Sequence, residues 1–231
     1  NTVWDGTINS NLLAQLEQGV IIGKRIIITK YNPITPKTIS PLITEFEKGL
    51  KVVDFKNGFY VRNQDGSCDL SKQAGSRLSE AALKISYESN LLIKNGRFEC
   101  SRQNTIYISS SKNIIIDNVQ AYKGVDNALE VRNSEYIIIK NSKFSPMNNN
   151  KCIETENSIV IFYNVNMDDC PKGFAGEKTQ NNTPELIVFI DVNMRLIPKH
   201  NSYSLVCDNR VNGIYGKILA HKFSYRSKNV N

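Results

Sequence analysis

The ionisable side chains that could do chemistry fall mostly between positions 117 and 200. They are Asp117, Asp126, Glu130 and Glu154, interleaved with Lys151, Lys172, Arg195 and His200. Carboxylates brought to neighbouring-strand distance repel unless a cation sits among them. An oxygen-rich cluster of that kind suits Ca²⁺, which takes about six to eight oxygens. A lysine or arginine beside it can act as a base where nearby positive charge or desolvation lowers its pKa. The same residues also read as solvated charges of alternating sign on an exposed sheet face. The chemical reading needs a fold that gathers residues lying far apart along the chain.

Such a fold is written in a repeat. Leu92-Ile93-Lys94-Asn95, Ile115-Ile116-Asp117-Asn118, Ile138-Ile139-Lys140-Asn141 and Ile161-Phe162-Tyr163-Asn164 place Asn at a constant step of 23 residues. Phe98, Ala121, Phe144 and Met167 follow in the same register. Looser copies run from Ile26 to Asn32 and from Val52 to Asn57, and a later one from Leu186 to Asp191. Short β-branched runs at a step of about 20–25 residues define a solenoid. These runs lack the periodicity of helical repeats and the fixed leucines of leucine-rich repeats. The expected fold is all-β, a right-handed parallel β-helix with about three short strands per coil. Asn suits a corner of each coil, because it tolerates the left-handed conformation of a tight turn and its amide both donates and accepts. The 28 Asn and 27 Ile among 231 residues fit strands joined by Asn-bearing turns.

A second column contains Ala128-Leu129-Glu130-Val131, Cys152-Ile153-Glu154-Thr155, Gly173-Phe174-Ala175-Gly176 and Ser204-Leu205-Val206-Cys207. Period-two alternation directs Leu129, Ile153, Phe174 and Leu205 inward, and Glu130, Glu154 and Ala175 outward. About seven or eight coils at ~4.8 Å each give a column of roughly 35 Å, and residues 1–231 form one domain. Solenoid ends expose strand edges and need cover. Asn9 to Gln18 is expected as a short capping helix, within a cap of about residues 1–20. Ser40 to Glu47 is expected as a second helix, with Ser40 as N-cap and Pro41 in its first turn. The tail from Phe223 is expected to be loose.

Lys plus Arg total 29 against 22 Asp plus Glu, a net charge of +7. Such a balance favours nucleic acid, anionic lipid or an anionic polysaccharide, but the basic residues are scattered and form no polybasic arm. No apolar run approaches the ~20 residues of a membrane helix. The first residue is Asn1, so a processed or truncated product is expected, and loss of a signal peptide would place it outside the cytoplasm. The five cysteines (Cys68, Cys100, Cys152, Cys170 and Cys207) form no CxxC and no Cys/His cluster, which argues against zinc. They allow two disulfides with one thiol left over, or five buried thiols.

The stretch from about Ile85 to Phe223 resembles the small extracellular pectate lyases, above all polysaccharide lyase family 3 and less closely family 1. Tyr122-Lys123-Gly124-Val125-Asp126-Asn127-Ala128-Leu129-Glu130-Val131 is similar to the family-3 segment built on Gly-Glu-Asp-Ala-Leu. Asn150-Lys151-Cys152-Ile153 resembles its Asp-Lys-Val-Phe, and Lys172-Gly173-Phe174-Ala175 stands where it has Lys-Leu-Val-Arg. Lys123 and Asn127 occupy positions of family carboxylates, and Ala175 that of the catalytic Arg. From family 1, Ile115-Ile116-Asp117-Asn118 resembles Trp-Ile-Asp-His, and Asp126 and Glu130 match the carboxylates of Asp-Gly-Ala-Leu-Asp. Asn193-Met194-Arg195-Leu196, followed by Pro198, resembles its Asn-x-Arg-x-Pro segment.

The resemblance implies a secreted, monomeric lyase that cleaves an acidic polysaccharide such as pectate by Ca²⁺-assisted β-elimination and takes no nucleic acid. It implies Lys151 as the base, with Lys172 or Arg195 on the uronate carboxylate. Lys199, His200 and Arg132 would hold substrate, and Asp126, Glu130, Asp117 and Glu154 would hold Ca²⁺. Two alternatives stay open. One is a non-catalytic β-helix that binds polysaccharide or a cell surface. The other is a glycoside hydrolase, because Asp168-Asp169-Cys170 resembles the Asp-Asp-Cys of polygalacturonases, where paired carboxylates do the work.

Overall fold

The structure, a computed structural model, describes residues 2–4, 20–22, 26–28, 36–61, 81–146, 150–178, 186–197, 205–209 and 217–227. The first elements are β1 (Thr2–Trp4), β2 (Val20–Ile22), β3 (Ile26–Ile28), α1 (Pro36–Glu47) and β4 (Lys51–Val61). The repeat follows with β5 (Leu83–Ser86), β6 (Ser89–Glu99), β7 (Ile106–Ser109), β8 (Lys112–Tyr122), β9 (Leu129–Arg132), β10 (Glu135–Lys140) and β11 (Lys143–Ser145). It continues through β12 (Lys151–Glu156), β13 (Ile159–Cys170), β14 (Lys172–Lys178), β15 (Leu186–Leu196), β16 (Leu205–Asn209) and β17 (Lys217–Ser227). These strands wind as a parallel β-solenoid. Among the described residues the longer sheet has seven parallel rungs: β4, β6, β8, β10 with β11, β13, β15 and β17. The shorter sheet has six: β5, β7, β9, β12, β14 and β16.

The 23-residue step becomes lateral register. Leu92, Ile115, Ile138 and Ile161 sit side by side, as do Phe98, Ala121, Phe144 and Met167. Seventeen described non-glycine residues have positive φ, and nine of them are Asn. For an L residue this region is unfavourable, and Asn tolerates it best after Gly. Asn57, Asn95, Asn118, Asn141 and Asn164, with Asp191, occupy it at one corner, where the long strands bend. The exposed amides there bond from rung to rung: Asn118 donates to Asn95 at 2.9 Å and Asn164 to Asn141 at 2.8 Å. Asn95 in turn donates to Asp54, and Asn141 to Asp117 rather than to Asn118.

A serine column lies beside another corner. Ser111, Ser134 and Ser158 are buried, and each directs its hydroxyl to the carbonyl two residues earlier at 2.7–2.8 Å. Each hydroxyl also accepts a backbone N–H from the preceding rung, from Glu88, Ser111 and Ser134 respectively. A backbone N–H is thereby satisfied without water at each rung, while the carbonyls also accept backbone N–H groups, from Tyr87, Ser110 and Asn133 respectively.

Ile, Leu, Val and Phe fill the interior, and Phe162, Phe174 and Phe189 close it as a cluster with centroids 5.2–6.2 Å apart. The longer sheet also buries its outer side. Leu92, Ile115, Ile138, Ile161 and Val188 point away from the interior and pack with Ile39, Ile43 and Phe46 of α1. Helix α1 begins at Pro36, a turn before the expected Ser40, so Pro41 lies inside it. Pro36 at the first helical position satisfies the same preference that suggested Pro41.

Two other expectations differ. The run from Ile26 is not a rung but pairs antiparallel with Val20–Ile22, a geometry a short connection suffices to make. Residues 223–227, expected to be loose, continue β17 in register with Val192–Leu196, because a parallel neighbour supplies their backbone partners. The capping helix expected at Asn9 to Gln18 lies outside the described residues. Among the described residues no helix is long and apolar enough to cross a membrane.

Candidate functional site

The shorter sheet alternates as expected, with Leu129, Ile153 and Phe174 fully buried in the interior. Its outward side carries two columns: Tyr107, Glu130, Glu154 and Ala175, and beside them Ser109, Arg132 and Glu156. Glu130 stands directly beside Glu154, and Lys151 beside Lys172. Unlike an ordinary solvated face, this one is shielded: Glu130 is 3% exposed, Glu154 6% and Glu156 8%. Three carboxylates withdrawn from water need partners.

Asparagines and cations supply them. Asn104 donates to Glu130 Oε2, and Asn127 to Glu154 Oε2 at 2.6 Å. The two amides are themselves 23 residues apart, and Asn104 Oδ1 accepts the Asn127 backbone N–H at 3.2 Å. Arg132 presents Nε to Glu130 Oε1, off the hydrogen-bond direction, and to Glu156 Oε2 at 3.2 Å. Lys151 Nζ lies 2.7 Å from Glu154 Oε1. Asn150 donates to Asp126 in the turn before β9. That turn depends on Gly124, where a Cβ would lie 2.5 Å from Thr105 Oγ1 and 2.7 Å from the Asn127 carbonyl oxygen.

Burial pushes the Glu130 carboxyl up to about 7, and Glu154 and Asp126 push the same way against Arg132 and Asn104. Burial also raises the Tyr107 phenol, with Glu130 adding to it. Burial works against the Arg132 charge, but Glu130, Glu156 and Glu154 outweigh it and hold the guanidinium protonated. A cleft of about 70 Å³ opens here between Ala81, Gln103, Asn104, Tyr107, Asp126, Glu130 and Arg132. Its aromatic face, amides and opposed charges can bind hydroxyl-rich ligands and hold a proton at Glu130.

Asp126, Glu130, Arg132, Lys151, Glu154 and Lys172 are thus brought to one face. Asp117 and Arg195 are not. Asp117 lies on β8 of the longer sheet, where Lys140 holds it at 3.2 Å and Asn141 at 2.8 Å. Arg195 lies on β15 of that sheet, 3.1 Å from Asp169. Asp168 and Asp169 sit there too, with Lys143 at 2.7 Å from Asp168, away from the shorter sheet. Lys199 and His200 lie outside the described residues. Sequence reading passed over Tyr107, Asn104 and Glu156. The signal was available, since Tyr107 precedes Glu130, and Asn104 precedes Asn127, by the same 23 residues.

Two disulfide observations complete the site. Cys152 is bonded to Cys170, with Cα atoms 5.4 Å apart, and Cys100 is also in a disulfide. No protein-family model matches the chain, and no curated protein matches it.

Proposed function

We propose that this chain is a secreted polysaccharide lyase of the pectate lyase type, cleaving a uronate-containing polysaccharide laid across the outward face of the shorter sheet. The observation that carries this reading is the pairing of Lys151 with Lys172 on neighbouring rungs, next to the ordered carboxylates Glu130 and Glu154. Disulfides suit an oxidising compartment, which supports secretion.

The donor set does not suit Ca²⁺. Glu130, Glu154 and Asp126 are already held by Arg132, Lys151 and asparagines, and Asp117 is on the other sheet. Among the described residues no group of three or more His, Cys, Asp or Glu side chains gathers as cation ligands. The residues therefore carry the elimination themselves. Lys151, once its ammonium has released a proton to solvent, takes the proton on the carbon bearing the uronate carboxylate. The negative charge moves onto that carboxylate, where Lys172 stabilises it. The electrons then form a carbon–carbon double bond as the bond to the glycosidic oxygen breaks, and that oxygen takes a proton from water. Glu154 fixes Lys151 Nζ, while Tyr107 and Arg132 line the neighbouring sugar position.

The second reading, a non-catalytic polysaccharide binder, is favoured by one observation: Ala175 continues the Tyr107–Glu130–Glu154 column with a side chain that can do no chemistry. Incubation with polygalacturonate, followed by ultraviolet absorbance of the unsaturated uronate, separates the readings. Absorbance that rises with wild type and falls at least a hundredfold in Lys151→Ala supports the lyase. New reducing ends without absorbance indicate hydrolysis, and binding with neither product indicates a binder.

A further inference from the structure

We infer that the Cys152–Cys170 disulfide positions the Lys151–Lys172 pair, a role that rests on the proposed use of these two lysines. The bond joins the residue immediately after Lys151 to the residue two before Lys172. Cys152 and Cys170 are fully buried. Both cysteines pack in the interior core, whereas Lys151 reaches the outward Glu154, its Nζ 2.7 Å from Glu154 Oε1. The bond is thus fastened from inside the solenoid, and what it aligns faces out.

Two features make an anchor necessary here. Lysine ammoniums on adjacent rungs repel, so their register needs an opposing restraint. The return to the shorter sheet is also unusually tight. Residues 100–105 and 123–128 make the equivalent connection with six residues and 146–150 with five, but between Cys170 and Lys172 only Pro171 remains. Ile153 and Phe174, laterally paired, are consequently 21 residues apart, where Ile106 and Leu129 are separated by 23. At this corner the backbone bond from Lys172 N–H to the Asn150 carbonyl is long, at 3.3 Å. A covalent tie across the same corner fixes the two strand starts laterally, at the end where the ladder between β12 and β14 begins.

The test uses the whole chain and a short amine-to-amine cross-linker, read by peptide mass spectrometry. In wild type a Lys151–Lys172 cross-link is expected, measured against acylation of the exposed Lys112. In Cys152→Ala/Cys170→Ala, with circular dichroism retained, its yield falls about tenfold, and KM for a uronate oligomer rises about tenfold with a smaller change in kcat. An unchanged cross-link overturns the inference. Should the double variant not fold, Pro171→Gly decides: with the bond intact the cross-link persists, and its loss shows that the proline, not the disulfide, sets the pair. Cross-linking needs no turnover. A protein that forms the tie-dependent cross-link but cleaves nothing refutes the lyase reading and leaves the positioning role standing.

Discussion

Glu130 shows how one side chain takes its chemistry from its neighbours. Its face holds the buried carboxylates Glu130, Glu154 and Glu156 against Arg132 and Lys151, so one negative charge exceeds the cations. A proton on Glu130 removes the excess, in line with a carboxyl pushed up to about 7 from an ordinary 4.5. The folded protein then binds more protons than the unfolded chain between those limits, so stability is greatest below the ordinary value and falls as pH rises through the folded one. Glu130→Gln cannot titrate. Wild type should lose up to about 3 kcal/mol relative to this variant as pH rises from about 4.5 to 7.5, followed by urea unfolding. A difference that stays flat across that range would refute the assignment.

Elements here are held at their corners and on their outer side as much as in their interior. Ser134 accepts the Ser111 N–H and donates to the Arg132 carbonyl, which also accepts the Ser110 N–H, so Ser134→Ala strands one buried backbone group, the Ser111 N–H. The expected cost is about 1–3 kcal/mol, against less than about 0.5 kcal/mol for Ala at the exposed Ser110, both read by chemical denaturation. Ile138 points out of the solenoid yet is fully buried beneath α1. Ile138→Ala should therefore cost about 2–5 kcal/mol, the penalty of a core truncation. A loss under about 0.5 kcal/mol would mean that α1 does not cover this stripe in solution. Triple runs such as Ile114-Ile115-Ile116 already carried the signal, since alternation buries one face and three apolar residues in succession require both.

At the scale of the molecule, the period made the solenoid legible, because identical residues a coil apart must be neighbours once strands stack in parallel. Asn95, Asn118, Asn141 and Asn164 marked the corner, and Leu129 and Ile153 the direction of the shorter sheet. The site was legible in part. Register follows from counting, so Glu130 and Glu154 could be placed side by side, but Asp117 and Arg195 were drawn in by local likeness although their strands belong to the other sheet. Local sequence does not tell which of the three sides of a coil a motif occupies. Nor does it show that Asn104 and Asn127 bond the carboxylates diagonally, Asn104 to Glu130 and Asn127 to Glu154. The amide column, finally, is not continuous: Asn164 leads through Asn141 to Asp117, and Asn118 leads through Asn95 to Asp54. Each relay runs one way and terminates on an anion. The stack is polar along its axis and carries a seam between Asn141 and Asn118, where a disturbance passed down one relay has no amide to carry it into the next.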